Sequence, residues 1–379
     1  MSNAQGAART YGRIVVKAGS ALLTREGDRL DLKVMSSLVS QIAELRKRGL
    51  EVALVTSGAV AAGRKVLGLS RGGRDLPMRQ VMAAVGQGQL MHAYEQLFSE
   101  HGVHVAQALL TRNDLDNRSG YLNVRNTLLK LMELGVVPIV NENDVVAVDE
   151  LGGRVFGDND TLSALVANLI DADLLVLLGQ VEGLYTADPG VDPSAKLIDR
   201  VEQVDKKIEA MGGSSRDGMG RGGMATKLEA AKLATASGTA VVIASGLAPD
   251  IIVRLAGGES IGTLFAPVGS RKESRKRWLL SGASESMGEV VVDDGAAAAL
   301  SRRGSSLLPA GVTEVRGPFE RGDVISVLDK SERKVAVGIV NYGSRDLAAI
   351  KGVQSGRIGE LLGHDFGDEA MHRSNMVVL

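Results

Sequence analysis

Two periods alternate along the first two-thirds of the chain. Short aliphatic and β-branched runs occur at 14–16, 52–55, 136–140, 174–178 and 240–244. They are too short for helices and lack polar interruptions, the pattern of strands buried on both faces. Longer segments at 30–48, 79–100, 120–134 and 160–170 separate them and read as helices. In the last of these, Leu162, Leu165, Val166 and Leu169 recur at i, i+3, i+4 and i+7, which gives one buried face. Strand–helix alternation predicts an α/β fold, a three-layer αβα sandwich around a mostly parallel sheet. In such sheets ligands bind beyond the carboxyl ends of the strands, so chemistry is sought in the residues just past each one.

The pattern changes after Pro267. Arg271-Lys272-Glu273-Ser274-Arg275-Lys276-Arg277 reads as a charged connector, followed by short runs at 289–292, 312–315, 323–327 and 335–340 and one Ala-rich helix at 296–301. This predicts a small β-rich domain. The expected organisation is a mobile tail at 1–9, an α/β domain at 10–268, a basic connector at 269–277 and the β-rich domain at 278–379.

Composition narrows the function classes. A chain of 379 residues exceeds the roughly 250–300 at which single cores stop growing, which agrees with two domains. Aromatic residues make up only 3%, so the core is aliphatic. A formal net charge of −1 gives no bulk attraction to nucleic acid or membrane. Cysteine is absent, which excludes disulfides, a thiol nucleophile and cysteine-based zinc sites and fits a reducing cytoplasm. No signal-peptide stretch opens the chain, and no apolar run approaches the ~20 residues of a membrane span. A soluble cytoplasmic protein is expected.

Candidate chemistry clusters at the strand ends. After the first strand, Lys17-Ala18-Gly19-Ser20 places a cation, a glycine and a hydroxyl where they suit a phosphate approaching the backbone; taken alone, an ordinary tight turn with a solvated lysine is the better reading. The Walker A pattern is absent, and no G-x-G-x-x-G follows this strand. After the second strand, Thr56-Ser57-Gly58-Ala59 opens a helix whose N–H groups can hold an anion, or Thr56 or Ser57 is an ordinary cap. The third strand ends in Asn141-Glu142-Asn143-Asp144, four polar side chains that packing does not explain and that can hold an ammonium group. Gly157-Asp158-Asn159-Asp160 precedes a helix with more acid and amide groups than one cap needs. Gly179-Gln180 stands at the end of the fourth strand, with Gly183-Leu184-Tyr185-Thr186-Ala187-Asp188-Pro189 beyond it. Last comes Gly218-Met219-Gly220-Arg221-Gly222-Gly223-Met224-Ala225-Thr226-Lys227, a glycine loop running into a helix with Lys227 in its first turn. That arrangement cradles phosphate.

Together these suggest phosphoryl transfer, which needs positioning and positive charge more than covalent help. Lys17 and Lys227 are two cations from opposite ends of the domain. None of the five histidines, His92, His101, His104, His364 and His372, falls in a strand-end motif. A carboxylate acceptor, ionised with a pKa near ~4.3, needs no general base. Asp160 remains open as a base for another acceptor.

Taken in order, Val15-Val16-Lys17-Ala18-Gly19-Ser20, Val55-Thr56-Ser57-Gly58-Ala59, Asn141-Glu142-Asn143-Asp144, Gly157-Asp158-Asn159-Asp160, the Gly183–Pro189 segment and Gly222-Gly223-Met224-Ala225-Thr226-Lys227 resemble the amino acid kinase family, and within it the glutamate 5-kinases. The resemblance covers essentially the chain from Tyr11 to Leu379. It implies the amino acid kinase fold and ATP-dependent phosphorylation of the side-chain carboxylate of L-glutamate, the entry step of proline biosynthesis. It also implies that Lys17, Asp160 and Lys227 are catalytic, the lysines stabilising the transferring group and Asp160 organising them. Ser57, Gly58, Asp144 and Asn159 would hold glutamate. Lys17, Gly19, Ser20, Gly179, Gln180, Arg221, Gly222, Gly223, Met224, Ala225, Thr226 and Lys227 would line ATP, with Mg2+ held mainly by the ATP phosphates and water and no protein metal ligands. Proline feedback inhibition and a homo-oligomer, dimer or tetramer, are further implications. Leu307-Leu308-Pro309-Ala310-Gly311-Val312, Phe319-Glu320-Arg321-Gly322-Asp323 and Gly338-Ile339-Val340-Asn341-Tyr342 resemble a PUA domain.

Two positions depart from the family pattern. Gly179-Gln180 stands where Thr-Asp is usual, and Arg221 where the glycine loop usually has threonine. Two rival readings stay open at this point. One is a kinase of the same fold acting on N-acetylglutamate, aspartate or a nucleotide. The other is an RNA-binding protein using the β-rich domain. That domain carries 14 Lys+Arg and 14 Asp+Glu from Arg275 to Leu379, and this neutrality disfavours RNA binding.

Overall fold

The computed structural model describes residues 11–25, 29–69, 75–147, 159–213, 223–269 and 288–379. The chain divides into two compact units, one of 1–114 with 125–270 and one of 115–124 with 271–379. The basic connector and the greater part of the glycine loop, Arg221 and Gly222 included, lie outside the described residues.

The first unit is built on an eight-stranded sheet. Its strands are β1 (Arg13–Ala18), β2 (Glu51–Val55), β3 (Val105–Leu110), β4 (Val137–Glu142), β5 (Leu174–Gly179), β6 (Arg200–Val201), β7 (Ala240–Ser245) and β8 (Thr263–Phe265). The order across the sheet is β3-β4-β2-β1-β5-β7-β8-β6. The first six in that order run parallel, and β8 is antiparallel to β7. The sheet is therefore mostly parallel, as the strand–helix alternation predicts. The five strands read from the sequence are β1, β2, β4, β5 and β7. The pattern misses β3 because it is an edge strand, half exposed along most of its length. β6 and β8 are two and three residues long, too short for any periodicity to show.

Helices cover both faces. Those that bear on the site are α1 (Leu32–Lys47), α2 (Ala59–Val66), α3 (Leu76–Ser99), α4 (Arg118–Glu133), α5 (Asn159–Leu169) and α6 (Met224–Ala236). α1 begins at Asp31, whose carboxylate accepts from Lys33 N at 3.1 Å and Val34 N at 3.3 Å, satisfying two otherwise orphaned donors. On one face Ile14, Val16, Leu54 and Val176 pack with Leu38, Ile42 and Tyr94 of the helices. Side chains alternate along a strand, so Val15 and Lys17 point to the other face. There α5 packs against β1 and against α6. Lys17 lies level with Val55 of β2 and Leu177 of β5, near the carboxyl ends of all three strands.

The second unit holds a five-stranded sheet. Its strands are β9 (Glu289–Val292), β10 (Val312–Arg316), β11 (Val324–Leu328), β12 (Lys334–Ile339) and β13 (Met376–Val378), in the order β10-β9-β11-β12-β13. Val290, Ile325, Val327, Tyr342 and Met371 centre its core. Leu122, from the 115–124 segment, joins Val324, Val337 and Ile339 in a smaller apolar set within this unit. Among the described residues, no helix is long and apolar enough to cross a membrane.

Candidate active site

Three charged side chains meet under the carboxyl edge of the large sheet. Lys17, from the end of β1, reaches Asp160 Oδ1 at 2.5 Å. Lys227, in the first turn of α6, reaches Asp160 Oδ2 at 3.1 Å. Asp160 lies in the first turn of α5, where a carboxylate is favoured by the helix dipole. Exposure is 2% for Lys17, 6% for Lys227 and 0% for Asp160, so all three charges are buried. Thr226 completes the cluster: its hydroxyl lies 2.9 Å from Asp160 Oδ2 and 2.8 Å from the Gly223 carbonyl oxygen. Burial acts to raise the Asp160 carboxyl, but the two ammonium charges outweigh it and hold the group below the usual carboxylate value. Within this trio two ammonium groups meet one carboxylate.

Gly19 leaves space beside this charge. A Cβ there would stand 3.3 Å from Lys17 Nζ, so a side chain would crowd the ammonium group that a phosphate must reach. Ser20, exposed, begins a short helix just beyond. Gln180 extends its side chain back to the Ala21 carbonyl, donating through Nε2 at 2.7 Å. Gly179 and Gln180 therefore sit beside the Gly19-Ser20 turn. Gly223, Met224, Ala225 and Thr226 form the start of α6, with Ala225 exposed. The part of the glycine loop carried by Arg221 and Gly222 lies outside the described residues.

A second, uncharged group adjoins the first through the neighbouring residue Asn159. Its Nδ2 donates to Ser57 Oγ at 2.9 Å and to Asn141 Oδ1 at 3.1 Å. Ser57 comes directly after Thr56, which is anchored twice: its N–H donates to Val140 O at 2.9 Å, and its hydroxyl lies 2.8 Å from the buried Tyr94 hydroxyl. Gly58 then turns the chain into α2 with φ of 109°, a left-handed conformation that a residue with a Cβ adopts only under strain. Asp144 lies in a half-buried turn two residues beyond β4. Ser57, Asn141 and Asn159 thus converge, and Asp144 lies close by in the chain.

Gln87 of α3 belongs to this group and goes unread in the sequence; its Oε1 accepts from Asn141 Nδ2 at 2.8 Å. Its neighbour Gly86 explains how a helix comes so near. A Cβ at Gly86 would lie 1.8 Å from Ala59 O, and one at Gly63 would lie 1.8 Å from Met82 O, so α2 and α3 cross with their backbones in direct contact. The sequence signal for this was a glycine on either side of Gln87 inside a helical pattern.

Residues 12–245 match the model of the amino acid kinase family. The chain belongs to the amino acid kinase family. Residues 288–362 match the PUA domain. A glutamate 5-kinase from Dehalococcoides mccartyi (strain CBDB1) is 51% identical over 369 residues, covering 97% of this chain and 99% of that one. One from Herpetosiphon aurantiacus is 50% identical over 365 residues, covering 96% and 98%. One from Moorella thermoacetica is 50% identical over 367 residues, covering 97% and 96%. A solved UMP kinase from Bacillus anthracis overlays 69% of this chain and 98% of its own with a TM-score of 0.49 and 17% identity.

Proposed function

We infer that the chain is an ATP-dependent glutamate 5-kinase, converting L-glutamate and ATP into L-glutamyl 5-phosphate and ADP, the first step of proline biosynthesis. The observation that carries the chemistry is the buried Lys17–Asp160–Lys227 array at the sheet's carboxyl edge. The relatives, each about half identical over nearly the whole chain, support glutamate as acceptor.

An oxygen of the glutamate side-chain carboxylate attacks the γ-phosphorus. The bond from that phosphorus to the β,γ-bridging oxygen breaks, and ADP leaves with the electron pair. No proton has to be removed. Lys17 and Lys227 face the phosphoryl oxygens from two elements and offset their charge in a site shielded from water, where preorganised charge acts most strongly. Asp160 holds both ammonium groups in place. Because both of its oxygens are engaged and its carboxyl is held ionised, it is a positioning anion and a poor proton acceptor. That favours an acceptor already ionised over an alcohol. Ser57, Gly58, Asp144 and Asn159 hold glutamate. Gly19, Ser20, Gly179, Gln180 and the Arg221–Lys227 stretch line the nucleotide.

Among the described residues, no three acidic or histidine side chains stand close enough to hold a metal ion. The magnesium expected with ATP fits as a companion of the phosphates and water, screening their charge. Proline inhibition, a homo-oligomer and a cytoplasmic location complete the reading by resemblance.

The test is ADP release with L-glutamate, L-aspartate and N-acetyl-L-glutamate as acceptors, with and without magnesium and proline. Turnover should be confined to L-glutamate, require magnesium and fall with proline. Activity on N-acetyl-L-glutamate but not on L-glutamate would overturn the assignment.

A further inference from the structure

Asn141, buried near the end of β4, joins groups from three other places. Its Oδ1 accepts from the backbone N–H of Glu142 at 2.9 Å and from Asn159 Nδ2 at 3.1 Å, and its Nδ2 donates to Gln87 Oε1 at 2.8 Å. A backbone N–H is a donor that cannot be reversed. The Glu142 amide therefore dictates which end of the Asn141 side chain is oxygen, and the choice propagates outward. Gln87 must turn its oxygen toward Asn141. Asn159 must turn its nitrogen toward Asn141 and toward Ser57 Oγ, 2.9 Å away. Each amide is locked against the half-turn that would exchange donor for acceptor. Two atoms are left over: Gln87 Nε2 and Asn159 Oδ1 are buried and have no hydrogen-bond partner among the described residues.

A buried carbonyl oxygen without a donor is unfavourable until a ligand supplies one. A site holding such an oxygen rejects an analogue that lacks the matching N–H far more sharply than an apolar pocket rejects a change of size. Here the oxygen belongs to Asn159, adjacent to the charged residue that holds both lysines.

Resting on the glutamate-kinase reading, we propose that Gln87 is a positioning residue that sets acceptor specificity. By holding Asn141 Nδ2 it reinforces the orientation that the Glu142 N–H selects, with Asn159 Oδ1 reserved for the α-ammonium group of the amino-acid substrate. The close crossing at Gly63 and Gly86 is what brings Gln87 within reach. Without the Gln87 oxygen, Asn141 Nδ2 is left buried without an acceptor, the Glu142 N–H alone holds the Asn141 amide, and the preference for the orientation that presents Asn159 Oδ1 is weakened.

The experiment compares kcat/KM for L-glutamate and for glutarate, which has the same terminal carboxylate and no α-ammonium group. Gln87→Met keeps the side-chain length and removes the acceptor oxygen. It should lower the glutamate-to-glutarate ratio at least tenfold while KM for ATP changes less than twofold and the melting temperature holds. Gln87→Glu retains an oxygen for Asn141 and should keep the ratio at or above that of the wild type. A Gln87→Met enzyme with the wild-type ratio, or a Gln87→Glu enzyme that falls with it, overturns the relay alone. Wild-type protein that turns over neither acid overturns the kinase reading and the relay with it.

Discussion

Replacing Lys227 by methionine removes one charge from the buried array at nearly constant side-chain length. Lys17 sits closer to Asp160, at 2.5 Å against 3.1 Å, and Lys227 shares its carboxylate oxygen with the Thr226 hydroxyl. Within the trio Asp160 then pairs with Lys17, and one of the two ammonium charges that the proposed reading sets against the phosphoryl group is gone. A unit charge pair about 4 Å apart interacts by roughly 4 kcal/mol at an effective dielectric near 20. Removing one preorganised donor to a developing anion costs about 2.7–4 kcal/mol, or 10²–10³ in kcat. The expected loss for Lys227→Met is therefore about 10³-fold in kcat, measured as ADP release at saturating L-glutamate and ATP, with single-turnover runs to isolate the chemical step.

Charge counting makes a sharper demand. Adding Asp160→Asn to Lys227→Met restores a net charge of one, now carried by Lys17 alone. The double variant should exceed the product of the two single-variant rates by about tenfold, because residues that act as a unit are non-additive. Lys227→Met within tenfold of wild-type kcat, in protein that melts normally, would refute the role. So would strictly multiplicative losses in the double variant.

The remaining expectations concern stability, packing and pH. Asp160→Asn leaves two buried ammonium groups without their counterion, and urea unfolding at pH 7 should show a loss of about 3–5 kcal/mol. The Asp160 carboxyl is depressed below its ordinary value of 3.8 in the folded protein. Its stabilisation is thus present above that value and lost as pH falls through the folded one, so the gap between variant and wild type should narrow below about pH 4. A gap that is constant from neutral pH to pH 3 would contradict this. Gly63→Ala and Gly86→Ala each drive a methyl into opposing backbone and should destabilise by about 1–3 kcal/mol or more. KM for L-glutamate should rise more than KM for ATP, since in the proposed reading α2 and α3 carry the acceptor side of the site. With no enzyme base to titrate and an acceptor carboxylate ionised above ~4.3, kcat/KM for L-glutamate should be flat from about pH 6 to 8. A limb with a pKa near neutrality would point to a base that this reading lacks.

How much of the fold and site was legible in the sequence depends on how locally each feature is determined. Lys17, Ser57, Asn141, Gly179 and Ser245 all stand at or just past the ends of parallel strands. A parallel sheet fixes those ends along one edge, so residues far apart in the chain are brought together there. His101 and His104 precede β3 and so belong to the opposite edge, while His364 and His372 belong to the second unit. Distances between elements were another matter. That Lys17 and Lys227 share one carboxylate depends on α5 and α6 packing together on the face toward which Lys17 points, and no periodicity states that. Gln87 was less legible still. It lies mid-helix, nearly fifty residues before the β4 end that it supports, and reaches Asn141 only because two glycines let helix backbones touch. Its relevance comes from hydrogen-bond polarity, which begins at one main-chain N–H and passes through three amide side chains. A residue-by-residue reading finds the groups that stand at the strand ends. The orientation of those groups is a property of the network, and it becomes visible only when every donor has been matched to its acceptor.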